Sequence, residues 1–297
     1  MKFSFIALHY NQYTELVDKL IPSIELGIKS HFDYEIIIVD ANSSQWDLIK
    51  TIASDVIKVI QAPISKNQSL SRNMGTDIAT GDYIWHIDGD DWYSISGLRA
   101  ACTFISKNPN YDLYPARVFK SLTRGTSLFY EVQMDAPREY LSIGGTMQYC
   151  VSRQFLLTSA IRWDEETYFW DSEDVWFWGL VRGFATSILP ISIDSHIVFH
   201  NLLAGTNSDR DKWEKNHHRA YLYNMLIEIY NKVPSIDVKY IAYDMAIRKE
   251  YQYKVVVDYH TLPTRLQKKI DNLFPPFPTE DIDLERNRNR KLSDRFI

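Results

Sequence analysis

Asp88-Gly89-Asp90-Asp91 sets carboxylates two residues apart around a glycine, where a tight bend can turn several oxygens toward one point. Hard oxygen donors spaced this way suit a divalent cation such as Mg²⁺ or Mn²⁺ that also bridges phosphates. Like charges this close are costly unless a cation or strong donors offset them. The tetrapeptide does not match a calcium-binding loop, whose spacing and later bidentate Glu are missing. A solvated acidic turn has the same composition, so the surroundings must decide. A second acidic pair, Glu173-Asp174, lies among Trp163, Tyr168, Phe169, Trp170, Trp176, Phe177 and Trp178. A carboxylate at a helix start in an aromatic pocket can take a proton from a bound hydroxyl, although first-turn acids also serve simply to complement the helix dipole. Neighbours on a helix point about 100° apart, so only one of the two can aim at a given atom. His200, directly after Ile197-Val198-Phe199, is a candidate imidazole ligand beside carboxylates, ahead of His196. Trp170 and Trp176 are candidates for stacking on a sugar ring or base, a spacing that ordinary core also shows.

The elements that must position these groups read as alternating strands and helices. Phe3–Leu8 is a compact apolar run, followed from Thr14 by a helical pattern that puts Leu16, Leu20, Ile21 and Ile24 on one face. Glu35–Asp40 is β-branched at its centre, as in a strand covered on both faces, and ends in the turn cluster Ala41-Asn42-Ser43-Ser44. Val56–Ile60 reads as a third strand, Ser69–Ala79 as a helix, and Tyr83–Ile87 as a fourth strand running into the acidic turn. This alternation predicts an α/β fold with a mostly parallel, doubly wound sheet. Ligands of such sheets sit at the carboxyl ends of the strands, and Tyr10-Asn11, Asp40 and Asp88–Asp91 all fall there.

The middle of the chain is less regular. Gln148–Val151 reads as a short strand, Ser172-Glu173-Asp174 as the start of a helix through Arg182 closed by Gly183, and Ile188–Ile193 and Ile197–Phe199 as strands. From about Asp209 the composition shifts to helix formers, with Trp213–Tyr230 and Ile236–Tyr253 as two helices. The expected division is residues 1–208 as the catalytic domain and 209–297 as a helical C-terminal region with a basic tail.

Composition sets the outer limits. With 297 residues, 45% hydrophobic and 24% charged, the chain can bury a core, which excludes wholesale disorder. A net charge of −5 gives no global field for a polyanion, so a nucleic-acid partner would need a local basic patch such as Arg286–Arg295 with Arg265, Lys268 and Lys269. Two cysteines, Cys102 and Cys150, are too few for a disulfide framework or a CxxC metal site, and a reducing, cytoplasmic setting is expected. The opening apolar run breaks at His9-Tyr10-Asn11 without a small-residue cleavage site and reads as a strand rather than a leader. No stretch approaches the roughly 18 to 20 apolar residues of a membrane span.

Four motifs, in order, resemble the nucleotide-sugar half of a family 2 glycosyltransferase of the GT-A, Rossmann-like fold. They are Ser4–Asn11, Glu35–Ser43, Ser71-Arg72-Asn73-Met74-Gly75 with Ala79–Ile84, and Asp88–Asp91. Glu173-Asp174 resembles the later Glu-Asp motif of that family and His200 its histidine ligand. The resemblance implies a UDP-sugar or similar donor, Mg²⁺ or Mn²⁺ on the diphosphate, and an inverting displacement at the anomeric carbon. It implies Tyr10 against the base, Asp40 accepting from uracil or ribose, and Arg72 reaching the base or diphosphate. Asp88 would face the ribose or metal, Asp90 would be the main carboxylate ligand with Asp91 as a substitute, and His200 would be a further ligand. Asp174 would be the general base, with Glu173 orienting it or binding the acceptor. Where the family often carries two acids this chain has Asp40-Ala41. The acceptor expected from the resemblance is a glycan or glycoconjugate. A hydroxymethylated DNA base, as in bacteriophage enzymes, and a non-catalytic nucleotide-sugar-binding module are the alternatives. Gly205–Asp209 is a candidate loop over the donor.

Overall fold

The computed structural model describes residues 1–64, 67–124, 127–132, 149–165, 173–189, 193–201, 212–256 and 259–276. Strand β1 (Lys2–His9) leads through a short helix α1 (Tyr13–Glu15) and a π-helical stretch (Leu16–Leu20) into α2 (Ile21–Ile28). Strand β2 (Asp33–Asp40), α3 (Trp46–Ile49), β3 (Ile57–Gln61), α4 (Gln68–Ile78) and β4 (Tyr83–Asp88) complete the first half. There follow β5 (Trp92–Tyr93), α5 (Ile95–Lys107), β6 (Leu113–Arg124), β7 (Ser127–Val132), β8 (Tyr149–Ser152), α6 (Arg153–Ser159) and α7 (Glu173–Phe184). Strand β9 (Ile193–Asn201) and helices α8 (Lys212–Lys232), α9 (Ile236–Val256) and α10 (Thr264–Asp271) end the described chain.

The strands form one sheet in the order β3-β2-β1-β4-β8-β6-β9-β5, with β7 paired to β6. The first four strands are parallel, which fits their nearly continuous apolar sequences, since both faces are covered. Alternate side chains divide between two cores. Phe3, Phe5, Ile36, Ile38, Trp85 and Ile87 face α2 and α5, whereas Ile6, Leu8, Ile37, Val39 and Ile84 face α6 and α7. Beyond β4, strand β8 pairs antiparallel with both β4 and β6. The chain runs from β1 outward to β2 and β3, then returns to β4 on the other side of β1. The switch point therefore lies between the carboxyl ends of β1 and β4, where a crevice opens in sheets of this kind.

Two local expectations change. Gly183 does not close α7, which runs on to Phe184. A Cβ at Gly183 would stand 2.2 Å from a Val233 methyl carbon, so the glycine is there to let α7 meet the chain end of α8. Likewise Ile188 makes a lone bridge to Leu113, and β9 is a single strand that begins at Ile193 and includes His200. The C-terminal helices share their core with α7: Val175 and Leu180 pack with Leu226, Ile229, Ala242 and Phe274. Helix α7 is thus clamped between the sheet and the C-terminal helices.

Candidate active site

The ends of β1 and β2 are tied into one buried polar knot. Asp40 is fully buried. Its Oδ1 lies 2.7 Å from His9 Nδ1 and accepts from Ser43 Oγ at 2.5 Å, while Oδ2 accepts from the Ser43 N–H at 3.0 Å and from Gln61 Nε2 at 3.4 Å. The Gln12 N–H donates to His9 Nε2 at 3.1 Å, which leaves the ring proton on Nδ1, directed at Asp40. Asn11 and Asn42 both take up left-handed backbone, φ 60° and 55°, a conformation that Asn tolerates better than most residues. Asn11 Oδ1 then accepts from the Ser44 N–H and Oγ, joining the two strand-end loops. Tyr10, expected against a base, is partly exposed at this junction. The Asp40 carboxylate, expected at the base or ribose, stands in this knot and holds the loop that follows β2.

The acidic turn lies on the other side of β1. Asp88–Asp91 closes with the Asp91 N–H donating to the Asp88 carbonyl at 3.1 Å. A Cβ on Gly89 would come within 2.2 Å of the Leu8 carbonyl oxygen, so only glycine lets the turn lie against the end of β1. Asp88 and Asp90 are partly exposed and Asp91 is fully buried. Antiparallel pairing of β5 with β9 sets Trp92 opposite Phe199, so His200, the next residue, stands beside the acidic turn along the backbone. Among the described residues no three His, Cys, Asp or Glu side chains converge as a metal cage. Asp88 and Asp90 nevertheless supply hard, partly exposed oxygens two residues apart, and Asp88 Oδ2 lies outside its ion pair to Arg72. That donor set fits Mg²⁺ or Mn²⁺.

Arg72 joins this turn to the second acidic pair. From α4, Nη2 donates to Asp88 Oδ1 at 3.0 Å and Nη1 to Glu173 Oε1 at 2.8 Å. The guanidinium is 1% exposed and its Cζ sits 4.4 Å from the centre of the Trp163 ring. Asn73 clamps Trp163 by both backbone groups, at 2.9 and 3.0 Å, and Phe177 stacks on the ring at 4.1 Å. Burial pushes the Glu173 carboxyl up to about 7, against the pull of Arg72 and with the help of neighbouring Asp174. Asp174, in the first turn of α7, is partly exposed and its Oδ1 accepts from the Val175 N–H at 2.7 Å. The sequence assigns no individual role to His9, Trp163 or Asn73: His9 and Asn73 fall inside the motifs and Trp163 inside the aromatic cluster. Trp176 is partly buried at the C-terminal core, with Lys232 over its ring at 4.4 Å, so it belongs to packing. Trp170, Gly205–Asp209 and the basic tail lie outside the described residues.

Among the described residues no helix is long and apolar enough to cross a membrane. Residues 4–157 match the family model described as Glycosyl transferase family 2. An uncharacterized glycosyltransferase of Haemophilus influenzae is 27% identical over 161 residues, 52% of this chain and 54% of that protein, so the match spans about half the relative's length. The crystal structure of S. aureus TarS 1-349 in complex with UDP-GlcNAc superposes with a TM-score of 0.67 at 17% identity, covering 92% of this chain and 79% of that one. The mannosyltransferase PcManGT from Pyrobaculum calidifontis, in complex with GDP-Man and Mn²⁺, gives 0.58 at 12% identity, covering 91% and 78%. These likenesses establish the GT-A fold. With the family model spanning more than half of its residues, the chain belongs to glycosyl transferase family 2.

Proposed function

We propose that the protein transfers a sugar from a nucleotide-sugar donor, a UDP-sugar, to a hydroxyl of a glycan or glycoconjugate, with inversion at the anomeric carbon. The observation that carries this reading is the convergence at the switch point: Asp88 and Glu173, 85 positions apart in sequence, meet on one guanidinium with Asp174 beside them. The UDP and UDP-GlcNAc complexes of TarS favour a uridine donor, and the Mn²⁺ complex of PcManGT favours a divalent ion.

In this reading the base and ribose lie over the loops tied by Asp40, His9 and Asn11, with Tyr10 as the exposed wall. Asp88 and Asp90 would hold Mg²⁺ or Mn²⁺, with His200 as the candidate third ligand. Bound there, the ion would neutralise charge on the diphosphate leaving group. Asp174 takes the proton from the acceptor hydroxyl as the new bond forms. The aromatic wall of Trp163 and Phe177 excludes water behind Glu173 and strengthens the electrostatics of the pocket. Residues 1–208 form the transfer domain, and within 209–297 helices α8, α9 and α10 brace α7 from outside. The buried free thiols of Cys102 and Cys150 favour a reducing, cytoplasmic setting.

The test is a thermal-shift screen of UDP, GDP, UDP-GlcNAc and GDP-mannose with and without Mn²⁺, followed by detection of released nucleotide. A rise in melting temperature with UDP and Mn²⁺ together, larger than with either alone, is the expected result. No shift with any nucleotide would reject the donor reading.

A further inference from the structure

We propose that Arg72 is a positioning residue that never touches the donor and instead locks the donor-side turn to the first turn of α7, setting the direction in which Asp174 points. The inference rests on the reading of Asp174 as the base. It departs from the family-based expectation that Arg72 reaches the base or diphosphate.

Three observations carry it. First, the guanidinium is enclosed: 1% exposed, under the Trp163 ring, with its two terminal nitrogens donating to Asp88 and Glu173. A phosphate could reach it only by displacing one of these carboxylates. Second, the tie spans the site. Asp88 ends β4 and Glu173 opens α7, and only Arg72 bonds to both among the described residues. Third, Glu173 is itself 6% exposed, with Oε1 on Arg72, so it is placed to anchor the helix rather than to hold an acceptor. Residues adjacent on a helix keep a fixed angle of about 100° between them. Fixing Glu173 therefore fixes the bearing of Asp174. The planar fork of arginine holds two carboxylates at once in set directions, which the single ammonium of lysine does not reproduce.

The experiment compares the wild-type chain with Arg72→Lys, Glu173→Gln and the double variant. Calorimetry gives the affinity for UDP with Mn²⁺, and release of nucleotide from UDP-GlcNAc or GDP-mannose gives the rate, with melting curves run on each protein. The expected result is UDP affinity within about threefold of wild type in all variants, and a rate about tenfold lower or worse in each single variant. The double variant should be no slower than the slower single, because both changes cut one tie. A loss of UDP affinity beyond threefold in Arg72→Lys with Glu173→Gln unaffected would place Arg72 on the donor and overturn the inference. Losses that multiply in the double variant would also overturn it. If Arg72→Lys fails to fold, the isosteric Glu173→Gln decides alone, and a wild-type rate in that variant is the overturning outcome. A wild-type chain that binds neither UDP nor GDP rejects the donor reading itself, a result separate from any pattern among the variants.

Discussion

Glu35 and Glu173 are both buried carboxylates on the same side of the sheet, one near its amino edge and one at its carboxyl edge, and they have opposite surroundings. Glu35 accepts from Ser4 Oγ, the Thr80 N–H and Oγ1, and the ammonium groups of Lys2 and Lys58. Although burial alone would raise its carboxyl, these donors hold it down at about 2. Glu173 has Arg72 on one oxygen and, among the described residues, no partner on the other, and burial pushes it up to about 7. At the amino edge both oxygens of Glu35 are satisfied, and the carboxylate acts as a structural weld. The carboxyl edge buries a carboxyl with a raised proton affinity, as sites that must handle protons and ions commonly do.

If that division is right, changes at the carboxyl edge should alter chemistry and changes at the amino edge should alter stability. The largest effect is expected at Asp174. Asp174→Asn should slow transfer by roughly a hundred- to ten-thousand-fold, the range for loss of a general base, while UDP affinity with Mn²⁺ stays near wild type. Measuring kcat and nucleotide affinity on one preparation checks this, and near-normal turnover would remove Asp174 from the base role. Next is Asp90→Asn, expected to weaken Mn²⁺-dependent UDP binding by roughly ten- to a hundredfold, as loss of a metal-site group does. Its melting curve without metal should match wild type, since Asp90 is partly exposed.

At the other edge, Glu35→Gln should leave kcat unchanged below the melting transition. It should cost about 2–3 kcal/mol at pH 7, less than the full shift implies because Lys2 and Lys58 are partly solvated. The sign follows from the depressed carboxyl. Its ordinary value is 4.5 and its folded value about 2, so the stabilisation is present above pH 4.5 and disappears as pH falls through about 2. Urea titrations at pH 7 and pH 3 should show the wild-type advantage shrinking at the lower pH. An equal gap at both would mean that packing, not charge, holds Glu35.

Much of the parallel half was legible, because strands buried on both faces are written as apolar runs and their carboxyl ends carry the polar clusters. Thus β1, β2, β3 and β4 fall within a residue or two of the expected spans, and the Asp88–Asp91 turn follows β4 as expected. The parts that were not legible depend on contacts between distant residues. Nothing near Gly183 tells that Val233 will lie against it. The buried knot around Asp40 was not legible, because two of its members, His9 and Gln61, belong to other strands. The resemblance implies that Arg72 reaches the base or diphosphate, and its enclosure by Trp163 and Glu173 was not legible because those residues lie 91 and 101 positions away.

The smallest expected effect tests the comparison most directly, because it asks the two glutamates to give opposite slopes. Glu173 titrates near 7 in the folded chain against an ordinary 4.5. A carboxyl raised in this way binds more protons folded than unfolded between those values, so its contribution to stability is full below pH 4.5 and is lost as pH rises through about 7. Glu173→Gln keeps the shape and cannot ionise. Its melting temperature should therefore change less between pH 5 and pH 8 than that of wild type, by about 2–5 °C for a chain of this size. Scanning calorimetry at constant ionic strength resolves that difference, with Glu35→Gln as the control that flattens only the acid limb. If Glu173→Gln keeps the wild-type slope across pH 5 to 8, then Arg72 holds Glu173 ionised throughout. The two edges of the sheet would then differ in position but not in electrostatic design.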